Sequence, residues 1–492
     1  MELGLLALLA ALVCVATPGA AWAELETTAV SGPRAAKSCD VKPSVRTTAD
    51  GVEFVRTPVS CFDGLPGWPY RSRHVVIDGL RQAYVDEGRA DGEVVLLLHG
   101  QPSWSYLYRK MIPVLADAGY RVIAMDHLGF GRSDKPTDIE SYSYLGHFHR
   151  LERFIDKLGL TGINLFVQDW GSLIGLRVAG LHPGRFANVA VGNGALPVIP
   201  AGIQPFPPVE NPDELTDLPA PYAAIPPQQF PFYDGCSQIV APTSGYFADW
   251  IAHAMTSSSF RASETVEALT WFDLPARQQA AYDAPFPSRP YMAGARVFPS
   301  LANELPGANA GAWAGLTAFD RPFLTIWASN DPGQLGACTT QQVFIDNVPG
   351  ATGQPHARLP EASHFLQDDQ GEQIARRLLR WYVDGSATAK RTQRQKGRKI
   401  VIRVRVKARE NLEAEISGRI KANRTYRLKT RTRNVIKGTR LTVRLKPGKK
   451  RQARRIAKAL KNGTKARATL TVELTDETGN EKTEKLGVKL TR

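Results

Sequence analysis

Cysteine is scarce here: five in 492 residues, with no Cys-x-x-Cys pair and no Cys/His spacing of the kind that holds a metal. That removes zinc ribbons and thioredoxin-like redox pairs, and neither a metal nor an organic cofactor is expected. The apolar N-terminal run from Leu3 to Ala16 falls short of the roughly 20 residues needed to span a bilayer. No internal repeat recurs, which excludes a solenoid. Length excludes a single ordinary domain, and 43% hydrophobic residues exclude global disorder.

The N-terminal run is followed by Pro18, Gly19 and the triplet Ala21-Trp22-Ala23. This reads as a secretory signal over residues 1–23, cut before Glu24, and predicts export to the periplasm, cell surface or medium. Four cysteines then remain, with three possible pairings. Loop closure favours Cys39–Cys61 and leaves Cys236–Cys338; the alternative is four buried thiols.

The net charge of +15 is unevenly placed. From Lys390 to Arg492, 34 Lys and Arg stand against 8 Asp and Glu, so this tail carries +26 and everything before it −11. Ahead of the tail, residues 386–398 are polar and aperiodic, and read as a linker. Ile400, Ile402, Val404 and Val406 then alternate with Val401, Arg403, Arg405 and Lys407, the period of a half-buried strand with a basic outer face. Similar strands recur near Leu441–Leu445, Ala468–Leu474 and Leu486–Leu490, with a short basic helix from Arg451 to Lys461. Residues 399–492 are therefore expected to form a small basic β-sandwich. Its strand rhythm resembles the immunoglobulin-like modules appended to exported bacterial proteins. An anionic cell-surface polymer suits such a face better than nucleic acid does in an exported protein. A plainly solvated face is the simpler reading.

Between Ser44 and Gly385, apolar strands alternate with helical patterns. Val94–Leu98, Arg121–Met125, Asn164–Val167, Asn188–Gly192 and Phe323–Ala328 are the strands; Trp104–Ala118, Tyr144–Leu158 and Ser172–Leu181 are the helices. That alternation predicts an α/β fold, a parallel sheet covered on both faces, with its site beyond the carboxyl ends of the strands. The residues there are His99-Gly100-Gln101-Pro102-Ser103-Trp104, Asp126 to Pro136, Asp169-Trp170, Asn330-Asp331 and Ser363-His364. Nucleophile, acid, histidine is the chain order of the α/β-hydrolase triad, filled here by Asp169, Asp331 and His364. Serine, the usual nucleophile of that fold, is absent from its place.

His99 to Pro136, Val167-Gln168-Asp169-Trp170-Gly171, Ala284-Pro285-Phe286-Pro287 and Tyr291-Met292-Ala293-Gly294 together resemble haloalkane dehalogenases, and among them the subfamily whose triad acid follows the late strand. The resemblance runs from about Asp50 to Asp384. It implies an α/β-hydrolase core over residues 24–195 and 306–385, with a helical cap over 196–305. A small halogenated alkane and water are the implied substrates, handled by a monomer. Backbone N–H groups of Gln101 and Trp170 are the implied oxyanion donors. Trp170, with Trp250 from the cap, is the implied halide clamp. Phe247, Phe286 and Pro287 are expected to line the pocket, although ordinary packing explains them equally well.

The chemistry is coherent. A serine must lose its proton before attack, whereas a carboxylate is already ionised at neutral pH. It can displace halide from saturated carbon directly, leaving His364 free to activate water. A departing halide in a dry pocket needs hydrogen-bond donors, and an indole N–H is donor only. An epoxide hydrolase with the same triad is the rival reading, with oxygen donors sought among Tyr222, Tyr233, Tyr246, Tyr282 and Tyr291. An exported surface-binding protein with a vestigial hydrolase domain is the other. His99 is expected to be structural, fixing the turn beside Gln101; His127, His147, His149 and His182 are assigned no role.

Overall fold

The computed structural model describes residue 39 and residues 41–221, 244–332, 334–382, 385–408, 411–476 and 481–492. The expected signal segment, Cys236, Tyr222 and Tyr233 lie outside them.

Eight strands build the central sheet: β1 (Arg73–Ile77), β2 (Leu80–Gly88), β3 (Val94–Leu98), β4 (Arg121–Met125), β5 (Ile163–Gln168), β6 (Phe186–Gly192), β7 (Phe323–Ala328) and β8 (Ala357–Leu359). Their order is β8-β7-β6-β5-β3-β4-β2-β1, parallel from β8 to β4. Successive strand residues feed opposite faces. Leu96, Leu98, Leu165 and Val167 enter one apolar layer, and Val95, Leu97, Phe166 and Ala190 the other. Burial on both faces is why these strands read as continuous apolar runs.

The parallel sheet expected from the apolar strands is extended at one edge. β1 and β2 form an antiparallel hairpin at the edge, and β2 pairs antiparallel with β4. Its turn, Asp78-Gly79, has both residues at positive φ (49° and 73°), which matches a hairpin's twist.

Helices α1 (Ile112–Asp117), α2 (Tyr144–Lys157) and α3 (Trp170–Leu181) fall where helical patterns are predicted, although the first is split. A 3₁₀ turn, Ser105–Tyr108, precedes α1, and Pro113 in its first turn lacks the N–H that would continue an earlier helix. Between β6 and β7 the chain leaves the sheet. It forms α4 (Ser244–Thr256), α5 (Ala262–Ala268), α6 (Ala276–Asp283), α7 (Ala293–Val297) and α8 (Ala310–Leu316), before α9 (Cys338–Asn347) and α10 (Leu366–Tyr382) complete the core. Cys39 and Cys61 are joined by a disulfide.

The segment expected as a linker is not one. Gly385–Thr388 (β9) and Thr392–Arg394 (β10) are strands of the C-terminal region. With β11 (Ile402–Ala408), β12 (Leu412–Lys421), β13 (Thr425–Arg427), β14 (Arg431–Val435), β15 (Arg440–Leu445), β16 (Ala466–Asp476) and β17 (Glu481–Thr491), they form two sheets, β9-β11-β15 and β10-β17-β16-β12-β13, with β14 also paired to β12. The buried side chains of β10 and its extension are Gln393 and Gln395 rather than apolar residues. Gln393 bonds the backbone of Arg403, and Gln395 that of Val401. A strand that buries amides with satisfied hydrogen bonds leaves no hydrophobic period to read. Ile402, Val404, Ile416, Leu470 and Val472 share the core between the sheets, and α11 (Lys450–Lys461) buries Ile456, Ala457 and Leu460 against it.

Candidate active site

Asp169 sits between the end of β5 and the first residue of α3, at φ 52° and ψ −132°. A non-glycine residue holds this sparsely populated conformation only when its surroundings fix it. Here they do. The Asp169 N–H donates to the Asn193 carbonyl (3.1 Å), and the Ser172 N–H to the Asp169 carbonyl (2.8 Å). The neighbouring chain comes so close that a Cβ on Gly100 would lie 1.9 Å from Asp169 Oδ1, and one on Gly171 2.2 Å from the Leu98 carbonyl. Gly100→Ala is therefore expected to abolish turnover by displacing the carboxylate. Halide assay of the folded variant checks this, and undiminished turnover would show that the close approach is relieved at no cost.

The carboxylate is buried and its two oxygens are differentiated. Oδ1 accepts from the Gln101 N–H at 2.7 Å; Oδ2 lies 3.5 Å from His364 Nε2. On the far side of the ring, His364 Nδ1 is 2.8 Å from Asp331 Oδ2. The structure thus brings Asp169, Asp331, His364 and Gln101 together from the ends of β5, β7, the loop after β8, and β3. Burial by itself would depress the His364 pKa, but the Asp331 and Asp169 carboxylates outweigh it and raise the imidazole to about 10. Trp170 follows Asp169 as the first residue of α3, so its backbone N–H has no intrahelical acceptor. Its indole packs edge-on against Phe298 (5.1 Å between centroids).

The other expected pocket residues lie in or beside the same apolar layer. Trp250 is buried on α4, stacked on His253 at 5.7 Å. α4 packs on α7 and on the Phe298–Glu304 turn, whose Phe298 faces Trp170. Phe286 is buried, edge-on to Phe130. Phe247 is half-buried against Phe206, and Pro287 is half-exposed.

Sequence reasoning passed over the residues that hold this site in register. Asn193, at φ 37°, joins three of its loops. Its carbonyl receives Asp169 N–H, its Oδ1 receives Ala328 N–H (2.8 Å), and its Nδ2 donates to the Ser363 carbonyl (3.1 Å). Gln168 Nε2 donates to the His364 carbonyl and stands 3.1 Å from ring Nε2. Asp369 accepts from the N–H groups of Ser363, Trp271 and Phe272, tying the loop before His364 to the residues after α5. Asp368 forms a buried pair with Arg109 and accepts from the Tyr282 hydroxyl. A polar residue closing an apolar strand, as Gln168 closes Asn164–Val167, is the available signal, because a buried amide must find partners.

The histidines divide differently. His99 Nδ1 meets the Gly100 carbonyl, and His99 Nε2 receives the His127 N–H, which fixes the turn beside Gln101. Burial lowers His99 to about 4 and pushes His127 and His147 well down too, so this buried row stays neutral.

Comparison with known proteins agrees with the geometry. A family profile described as alpha/beta hydrolase fold matches residues 93–333. The haloalkane dehalogenase of Mycobacterium marinum is 41% identical over 340 residues, covering 67% of this chain and all of that protein. Haloalkane dehalogenase 1 of Mycobacterium bovis is 42% identical over 342 residues, 67% of this chain and 99% of the relative. Among solved structures, the haloalkane dehalogenase DpaA from Paraglaciecola agarilytica superposes with a TM-score of 0.53 at 28% identity, covering 66% of this chain and 97% of that one. With a buried aspartate on a strained elbow and a histidine held between it and a second carboxylate, the chain belongs to the haloalkane dehalogenases, joined to a C-terminal β-rich region.

Proposed function

We propose that this chain hydrolyses a halogenated alkane to an alcohol, a halide ion and a proton. The observation that carries the reading is the pair of unequal oxygens on Asp169. Oδ1 is engaged by Gln101 N–H, and Oδ2 lies toward His364. Oδ2 attacks the carbon bearing halogen; the new C–O bond forms as the C–halogen bond breaks, and the halide leaves with its electron pair. Indole N–H groups of Trp170 and Trp250 receive the anion. His364 then takes a proton from water, and the resulting hydroxide adds to Asp169 Cγ. The oxyanion forms on Oδ1, supported by the N–H groups of Gln101 and Trp170; removing one such donor costs about 3 kcal/mol. Collapse breaks the Cγ–Oδ2 bond; the alkoxide takes the proton from His364 and departs with Oδ2 as the alcohol, while the solvent oxygen stays on Asp169, whose carboxyl releases the remaining proton. Asp331 orients His364 and stabilises its imidazolium.

The rival epoxide reading needs tyrosine hydroxyls aimed at the substrate oxygen. Tyr282 gives its hydroxyl to Asp368 instead. Tyr222, Tyr233 and the Tyr246 side chain lie outside the described residues. Export fits both the N-terminal sequence and the Cys39–Cys61 disulfide, since disulfides persist in oxidising compartments.

Incubation with 1-bromobutane or 1,2-dibromoethane should release bromide and acid in equal amounts. Hydrolysis of styrene oxide with no bromide from either alkane would reverse the reading. Trp170→Phe keeps the ring but loses the donor, and bromide should bind it at least tenfold more weakly, on the order of one charge-assisted hydrogen bond.

A further inference from the structure

The C-terminal region presents a cationic surface that the hydrolase reaction does not use. On the small sheet, the outward positions of β11 are Arg403, Arg405 and Lys407, and those of β15 are Arg440, Thr442 and Arg444. Their register sets like charges directly opposite: Arg403 faces Arg444, and Lys407 faces Arg440. Such cross-strand pairs repel and weaken a sheet unless something neutralises them. Among the described residues no ion pair falls in this region. The acids nearest by register, Glu413 and Glu415, pair with Asn434 and Thr432, whose side chains point to the opposite face of β14 from Arg431 and Arg433.

A groove of about 290 Å³ opens between β14 and the edge strand β15. Arg431, Arg433, Arg444 and Lys446 converge on it, with Thr442 between them. Four cations around one groove, continued by the like-charged face of β11, call for a ligand of repeated negative charge. The surroundings narrow its kind. Tyr426 is the only aromatic residue after Gly385, and it is buried. Bases of nucleic acid therefore have no ring to stack on. Among the described residues of the region, Ile436 is the only large apolar side chain strongly exposed, too little to anchor in a bilayer.

We infer that the groove between β14 and β15 binds a flexible phosphodiester polymer without bases, of the polyol-phosphate kind, and holds the enzyme on a surface bearing it. Guanidinium forks grip each phosphate bidentately, and Thr442 adds a hydroxyl.

The test uses the full chain, poly(glycerol phosphate) as probe, and two variants of equal charge loss. One is the groove variant (Arg431→Ser, Arg433→Ser, Arg444→Ser, Lys446→Ser). The other changes exposed cations of α11 (Arg451→Ser, Arg454→Ser, Arg455→Ser, Lys458→Ser). The groove variant should bind at least about tenfold more weakly, with the slope of log affinity against log salt reduced by about 3, near 0.7 per lost phosphate contact. The α11 variant should stay within about threefold of the parent. Bromide release from 1-bromobutane should be the same in all three, and matching circular-dichroism spectra and melting curves show that the C-terminal sheets stay folded. Equal losses in both variants would overturn the site in favour of diffuse charge. Tighter binding to a DNA duplex, or to phosphatidylglycerol vesicles, than to the polymer would overturn the ligand class.

Discussion

Asp169→Asn should lower halide release by on the order of 10⁴-fold or more, the scale seen when a covalent nucleophile is removed. The amide is nearly isosteric, so the Gln101 N–H can still meet the side-chain oxygen that replaces Oδ1. What disappears is the charge that makes Oδ2 a nucleophile toward saturated carbon. No histidine can restore it, because a neutral amide has no proton whose removal yields a comparable nucleophile. The loss should therefore appear at every pH and in the first turnover as fully as in the steady state. A complementary measurement fixes the atom. One turnover of the parent enzyme in ¹⁸O-water should place the label on Asp169 and leave the first alcohol unlabelled. Label in that alcohol would mean that water attacks the substrate directly.

His364→Gln separates the two halves of the reaction. Displacement of halide needs only an ionised Asp169, so this variant should release halide in one stoichiometric burst and then stop. The alkyl group should remain on Asp169, visible as added mass on the peptide containing Val167–Gly171. Steady-state turnover should fall about 10²- to 10⁴-fold, the usual contribution of a positioned base. A variant that turns over at the parent rate, or that shows no burst, would remove His364 from this role.

The pH dependence of the parent enzyme follows from the same charges. In the resting site two carboxylates hold the His364 pKa at about 10, so the ring carries its proton at neutral pH. Esterification removes the Asp169 charge, leaving Asp331 alone against the opposing effect of burial, and the pKa falls. Decay of the alkyl-enzyme should therefore rise with pH and level off above a pKa lower than that of the resting enzyme. The halide burst should not show that rise. Rapid-quench measurements of both phases across pH distinguish them.

Much of this site is written locally in the chain. The strands are apolar on both faces, and the residues after them are polar, so the alternation alone places the chemistry at the carboxyl ends of the sheet. The order Asp169, Asp331, His364 is legible for that reason. Less local features are not. The β1–β2 hairpin depends on a two-residue turn and on β4, the strand that β2 pairs with, whose first residue Arg121 lies 33 positions beyond Gly88 at the end of β2. The strands at residues 385–394 bury glycine, alanine and glutamine, and their pairing partners are Ile402–Ala408 and Glu481–Thr491.

What the sequence determined by itself is the kind of chemistry: a carboxylate at the nucleophile position, an indole beside it, and a histidine late in the chain. Residue types and hydrophobic periods suffice for that, because each is a property of neighbours along the backbone. Only the tertiary structure decided which oxygen of Asp169 is free, how Asn193 and Asp369 hold three loops in register, and where four C-terminal cations converge. Those depend on distances between segments far apart in the chain, fixed by close packing, which no local pattern encodes.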